Sequence, residues 1–105
     1  MIYFDNAATT LLKPAEVFRA VQGAMRTAAG YGRSGHQPAL RAGELVYACR
    51  EQAAALFGVD EPERVVFTLN ATHALNTAIH ALAKPGAAVA VTGYEHNSVM
   101  RPLAA

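Results

Sequence analysis

The sequence predicts an α/β fold that contains a βαβ unit with two parallel strands. Residues 65–68 are β-branched or aromatic, as is typical of a buried strand, and the apolar spacing after Asn70 changes to that of a helix. A second short apolar run, residues 87–92, follows that helix after a Lys-Pro-Gly stop. Strand, helix and strand fall within about 30 residues, so we expect parallel strands joined by a right-handed crossover.

A short strand and a helix are expected before this unit. Residues 2–4 are apolar and lead into residues 5–10, whose small and hydroxyl side chains leave room for a group to approach the backbone. Pro14 suits the first turn of a helix, because its missing N–H would be unpaired there. This helix should end near Gly30. Its apolar face consists of Val17, Phe18, Val21 and Met25.

A glycine-rich loop and a long helix come next. Residues 30–36 contain three glycines and form either a functional loop or a plain linker. From Pro38 a helix should run to Phe57, where Gly58 supplies the stop. We expect Cys49 to be buried and structural, because it lies in the apolar stripe of this helix. The stripe consists of Leu45, Val46, Cys49, Ala53, Leu56 and Phe57.

Polar residues follow both parallel strands, at the sheet edge where ligands of such folds collect. Residues 68–72 follow the first strand and residues 93–98 the second. Ser98 should cap a last helix that tolerates Pro102 in its first turn. A helix barely begun and an incomplete sheet of two strands do not make a finished domain, so we expect residues 1–105 to be a fragment of a larger one.

The composition excludes several classes of protein. The chain has 105 residues, of which 52% are hydrophobic and 16% charged, so it is globular and at most one domain. Nine basic and eight acidic residues give a net charge of +1 without a basic run, which argues against nucleic acid and anionic membranes. The chain has a single cysteine and no pattern of a signal peptide. Its apolar runs are far shorter than the roughly 20 residues of a membrane span, so we expect a cytoplasmic protein.

The helix after the first parallel strand begins with a candidate anion site. Its first N–H groups, on Ala71 and Thr72, lack intrahelical partners, and the helix dipole adds about half a positive charge there. An ordinary capped junction is the alternative, because the glycines of phosphate loops are missing. His96 either stacks on a planar ligand and moves protons or is simply solvated. His73 and His80 lie two turns apart, about 10 Å, so no metal site is expected.

Four segments, in their order and spacing, resemble the N-terminal part of class V aminotransferase-fold enzymes, most closely the cysteine desulfurase and selenocysteine lyase group. The segments are residues 3–10, residues 32–36, residues 67–72 followed by Asn76, and residues 95–99. The resemblance covers essentially the whole chain. It implies the large domain of a fold-type I transferase that binds pyridoxal 5′-phosphate (PLP) and works as a homodimer.

The resemblance also implies roles for individual residues. Ala71 and Thr72 would hold the cofactor phosphate through backbone N–H groups and the Thr72 hydroxyl. His96 would be catalytic, stacking on the pyridine ring and helping to move protons. His36, on the glycine-rich loop, would approach an active site, either its own subunit's or the partner's. The residues implied beside the substrate are Asn6, Ala7, Ala8 and His36.

In such enzymes PLP is an electron sink, and a cysteine thiolate removes sulfur from L-cysteine as a persulfide, leaving alanine. A sulfur-acceptor protein is then a further partner. Lys13, Lys84 and Cys49 do not match the Schiff-base lysine or the persulfide cysteine, which the resemblance places beyond Ala105, together with the aspartate that pairs with the pyridine nitrogen. The chain alone is therefore expected to be inactive.

The residues leave two other functions open. His73 and Leu75 stand where the glutamate and asparagine of the group are often found, and the residues that decide the substrate are mostly absent. A class V aminotransferase or another PLP lyase is therefore the alternative within the family. An alternative of another class is a binding or dimerisation module without catalysis.

Overall fold

The computed structural model describes residues 2–104, in which the regular structure is helical. The α-helices are α1 (Ala15–Thr27), α2 (Gln37–Phe57), α3 (Ala71–Leu82) and α4 (Asn97–Ala104), and a 3₁₀ helix spans Pro62–Arg64. The chain divides into two compact units, the first ending at Val65 and the second beginning at Val66. In the first unit α2 packs against α1 and the 3₁₀ helix, and in the second α3 packs against α4.

Local signals in the sequence set the ends of the helices. The Asn70 side chain accepts a hydrogen bond from the His73 N–H at 2.9 Å and so caps the start of α3. Gly58 follows α2 in the left-handed conformation, with φ 65° and ψ 36°. The helices predicted from Pro38 and after Asn70 are therefore confirmed, and so is the stop at Gly58.

The predicted sheet is not confirmed, because residues 2–104 contain no β-strand. The three stretches expected to be strands, residues 2–4, 65–68 and 87–92, have no regular structure. Val65 is extended, with φ −84° and ψ 113°, yet it belongs to no ladder. A strand is held by a neighbouring strand and not by bonds of its own, and a parallel pair is marginal by itself. The β-branched sequence therefore favours extended backbone here without the βαβ pairing.

Few apolar side chains are buried in the described residues. Ala39 and Ala54, both on α2, are the buried hydrophobic residues there. The predicted apolar face of α1 stays open, with Phe18 58% exposed. Cys49 is exposed, so the prediction of a buried cysteine is wrong. The reason is that α1 and the 3₁₀ helix cover only part of the 21-residue helix α2.

Candidate functional site

Helix α3 and the start of α4 line an open cavity of about 270 Å³ that has both Thr72 and His96 in its walls. These two residues lie 24 positions apart in the sequence and were predicted to share one site. We call this space the α3–α4 cavity. Its lining residues are Thr72, Asn76, His96, Asn97, Ser98 and Arg101.

The first turn of α3 offers unused hydrogen-bond donors. The His73 N–H is taken by the Asn70 side chain at 2.9 Å, and the Ala74 N–H by the Asn70 carbonyl at 3.2 Å. Within residues 2–104 the N–H groups of Ala71 and Thr72 have no acceptor. The Thr72 hydroxyl has no hydrogen-bond partner among those residues either. Two backbone donors and a hydroxyl at a helix start suit an anionic group.

Asn76 joins the two walls of the cavity. Its Nδ2 donates to the Thr72 carbonyl at 2.7 Å, one turn earlier on α3. The same Nδ2 donates to the Ser98 carbonyl on α4 over a longer distance of 3.4 Å. Because one amide group bonds to both helices, it holds Thr72 and His96 on facing walls of the same space.

His96 caps the start of α4. Its Nδ1 accepts a hydrogen bond from the Ser98 N–H at 3.1 Å, and the Ser98 Oγ lies 2.9 Å from the same Nδ1. Ser98 was expected to be the cap, but it lies inside the first turn, one residue beyond the helix start. The His96 side chain is exposed, and its Nε2 has no partner among the described residues. The ring can therefore contact a ligand through its face and through Nε2.

Arg101 is the one lining residue of the α3–α4 cavity with a full charge at neutral pH. It lies on α4, a turn beyond Asn97, and no carboxylate lines the cavity with it. A guanidinium group without a competing carboxylate favours an anionic ligand. The electrostatics of the cavity therefore agree with the donors at the start of α3.

The residues predicted beside the substrate belong to the first unit. Asn6 is engaged locally, since the Thr10 hydroxyl donates to its Oδ1 at 2.9 Å. Ala7 and Ala8 are exposed in a stretch without helix or strand. His36 caps α2, because its Nδ1 accepts from the Ala39 N–H at 3.2 Å. The α3–α4 cavity is built from residues of the second unit, so the substrate roles of these four residues stay predictions.

Sequence reasoning gave no site role to Asn76, Ser98 or Arg101. Helical spacing could have found them, because Asn76 lies four residues after Thr72 and so shares its face of α3. Arg101 likewise follows Ser98 by three residues on α4. What the spacing alone could not give is that these two faces meet.

No group of three or more His, Cys, Asp or Glu side chains that could hold a metal ion occurs within residues 2–104. None of the helices there is both long and apolar enough to cross a membrane.

Comparison with known proteins places the chain in a family. The profile of the family described as Aminotransferase class-V matches residues 2–105. A cysteine desulfurase of Trichormus azollae is 40% identical over 103 residues, which are 95% of this chain and 25% of that protein. A selenocysteine lyase of Bos taurus is 36% identical over 83 residues, 79% of this chain and 18% of that protein. No solved structure matches significantly.

Proposed function

Because the chain belongs to the class V aminotransferase family, we propose that it forms the phosphate-binding N-terminal part of a PLP enzyme of the cysteine desulfurase type. Membership in the family implies fold type I. The chain spans 25% of the length of the cysteine desulfurase of Trichormus azollae, so the activity proposed is that of a whole enzyme. The observation that carries the proposal is the α3–α4 cavity, in which Thr72 and His96 meet.

The donors of the cavity fit the cofactor. The phosphate of PLP is an anion with several acceptor oxygens, and Ala71 and Thr72 offer two unpaired N–H groups and a hydroxyl. Arg101 adds positive charge to the same space. The volume of about 270 Å³ is close to the lower end of the usual range for ligand pockets, about 300 Å³.

Each residue then has a defined task. Ala71 and Thr72 would hold the phosphate and so fix one end of the cofactor. His96 would lie against the ring and exchange a proton at Nε2, the nitrogen that the helix cap leaves unused. When bound, PLP supplies the electron sink that stabilises negative charge on the amino acid.

The proposed substrate is L-cysteine. The names of the relatives support this, because they are cysteine desulfurases and selenocysteine lyases. In the proposed reaction a cysteine thiolate of the enzyme attacks the substrate sulfur, so that a sulfur–sulfur bond forms as the carbon–sulfur bond breaks. The enzyme keeps the sulfur as a persulfide, and the released carbon takes up a proton to give alanine. An acceptor protein then takes the sulfur from the persulfide. The whole enzyme is proposed to be a homodimer.

The proposal extends to the rest of the chain. Residues 65–68 and 87–92 would become parallel strands once neighbouring strands of the full domain pair with them. The substrate-side residues are again Asn6, Ala7, Ala8 and His36. A selenocysteine lyase is the second candidate, because such a relative is 36% identical to this chain.

Binding of pyridoxine 5′-phosphate to the chain tests the phosphate site. This analogue lacks the aldehyde of PLP, so it cannot react with Lys13 or Lys84. We expect the amide resonances of Ala71 and Thr72 and the ring of His96 to shift on addition of the analogue. Pyridoxine without phosphate is the control and should leave the two amides unchanged. Equal shifts with both compounds, or none with either, would contradict the proposal.

A further inference from the structure

Ser98 is the one polar residue that is buried within residues 2–104, with 7% of its surface exposed. Two of its groups lie against the same ring nitrogen. Its backbone N–H is 3.1 Å from His96 Nδ1, and its hydroxyl oxygen is 2.9 Å from it. A buried hydroxyl needs a hydrogen-bond partner, and here that partner is the imidazole.

The backbone bond decides which nitrogen of His96 carries the proton. A backbone N–H can only donate, so Nδ1 must accept and therefore has no hydrogen in the neutral ring. Because Nδ1 then has no hydrogen, the Ser98 hydroxyl can bond to it only as a donor, so the N–H and the hydroxyl share the single lone pair of Nδ1. The single proton of the neutral ring consequently lies on Nε2.

We propose that Ser98 is a positioning residue that fixes His96 in the Nε2–H tautomer and holds the plane of its ring. Nε2 is then the nitrogen through which His96 exchanges a proton in the α3–α4 cavity. The value of this arrangement for catalysis rests on the proposed function, whereas the tautomer itself does not.

A serine beside a histidine is also the arrangement of a nucleophile and its base, but this pair does not fit that role. An activated serine hydroxyl must reach its substrate, and Ser98, although it borders the α3–α4 cavity, exposes only 7% of its surface. In such a pair a third group orients the histidine through its other nitrogen. His96 Nε2 has no such partner within the described residues.

His36 supplies an internal reference. Its Nδ1 also accepts from a backbone N–H at a helix start, that of Ala39 at 3.2 Å. Two residues after His36 the chain has Pro38, which has neither a hydroxyl nor an N–H, whereas two residues after His96 it has Ser98. Each ring therefore accepts a hydrogen bond from a backbone N–H, and the difference is that His96 Nδ1 also has a serine hydroxyl beside it.

The test is a long-range ¹H–¹⁵N spectrum of the histidine rings in the 105-residue chain without cofactor. We expect Nε2 of His96 to carry the proton. We also expect Nδ1 of His96 to resonate at lower frequency than Nδ1 of His36, because it accepts two hydrogen bonds. In Ser98→Ala this difference should disappear, and in Ser98→Thr, which keeps the hydroxyl, it should return.

Three results would overturn the inference. They are a proton on Nδ1 of His96, a Ser98→Ala spectrum like that of the unaltered chain, or random-coil chemical shifts for His96 and Ser98. Affinity for pyridoxine 5′-phosphate gives a second readout. Loss of one ordinary hydrogen bond predicts binding about two- to tenfold weaker in Ser98→Ala, restored in Ser98→Thr. If the tautomer is as expected but the analogue does not bind, the positioning role stands and the proposed function fails.

Discussion

The Thr72 hydroxyl is a group whose contribution to an anion site can be measured separately from the helix that carries it. It has no partner within residues 2–104, whereas the Thr77 hydroxyl on the same helix donates to the His73 carbonyl at 2.9 Å. A hydrogen bond to a charged group predicts that Thr72→Ala binds pyridoxine 5′-phosphate about ten- to a hundredfold more weakly. Thr77→Ala is the matched control and should bind as the unaltered chain does, in the same NMR titration. An equal loss in both variants would show that the effect comes from the helix and not from the site.

Tyr47 provides a prediction for pH. Its phenol O–H donates to Glu63 Oε1 at 3.0 Å, and this hydrogen bond, followed by the negative charge of Glu63, raises the pKa of Tyr47 above its ordinary value of 10.0. The stabilisation by this bond is complete below the pKa of the unfolded chain and is lost as the pH rises through the higher folded pKa.

The titration of Tyr47 can be followed by the NMR signal of Cζ, the ring carbon that bears the hydroxyl group. In Glu63→Gln, which removes the charge, we expect its midpoint to fall towards 10.0. An unchanged midpoint in that variant would contradict this explanation.

At the scale of single residues, the sequence predicted that Thr72 and His96 share a site. It did not predict which residue caps α4, because serine is the commoner cap and His96 takes that place through its ring nitrogen. Nor could it give the burial of Ser98, which depends on how α4 packs against α3.

Helix α2 allows a glycine at its end to be compared with a glycine in its interior. Gly58 has φ 65°, a conformation that strains other residues, whereas Gly43 lies inside the helix with nothing within 4 Å of an added Cβ. We expect Gly58→Ala to destabilise the chain by about 1 kcal/mol. We expect Gly43→Ala to stabilise it by about 0.5–1 kcal/mol.

Urea unfolding followed by circular dichroism measures both changes. A loss of stability in both variants would mean that the interior of α2 does not tolerate a methyl group. No change in Gly58→Ala would mean that the left-handed stop is not maintained in solution.

At the scale of elements, helices were predictable and strands were not. The helix expected from Pro38 to Phe57 is observed as Gln37–Phe57, because its hydrogen bonds and its stop are local. Residues 65–68 have an equally clear strand pattern, but a strand also needs a neighbour in register. Sequence pattern predicts such a stretch as extended and cannot supply the partner.

Residues 2–104 bury little apolar surface, and this predicts weakly cooperative unfolding. Ala39 and Ala54 are small, and a core of this kind contributes little against the entropy lost on folding. We therefore expect a broad thermal transition and fast amide exchange throughout, slowest in α2, measured by circular dichroism and by hydrogen exchange. A sharp two-state transition with strong protection in α3 and α4 would contradict this expectation.

At this largest scale the sequence identified the family without the aid of the fold. Four short segments in order resembled the class V aminotransferases, and the family profile matches residues 2–105. That the chain is part of a larger domain stays a proposal. The substrate-binding roles of Asn6 and His36 also stay proposals, because both residues lie in the first unit and the α3–α4 cavity lies in the second.

The stretches that belong to no β-ladder within residues 2–104 have a consequence for the handling of the chain. Val66 is 74% exposed and Leu69 89%, and Val89 is about half exposed. An apolar extended segment whose backbone is not in a ladder is a template on which another chain can add as a strand. Concentrated solutions of the chain should therefore aggregate by intermolecular β-pairing through residues 65–69 and 87–91.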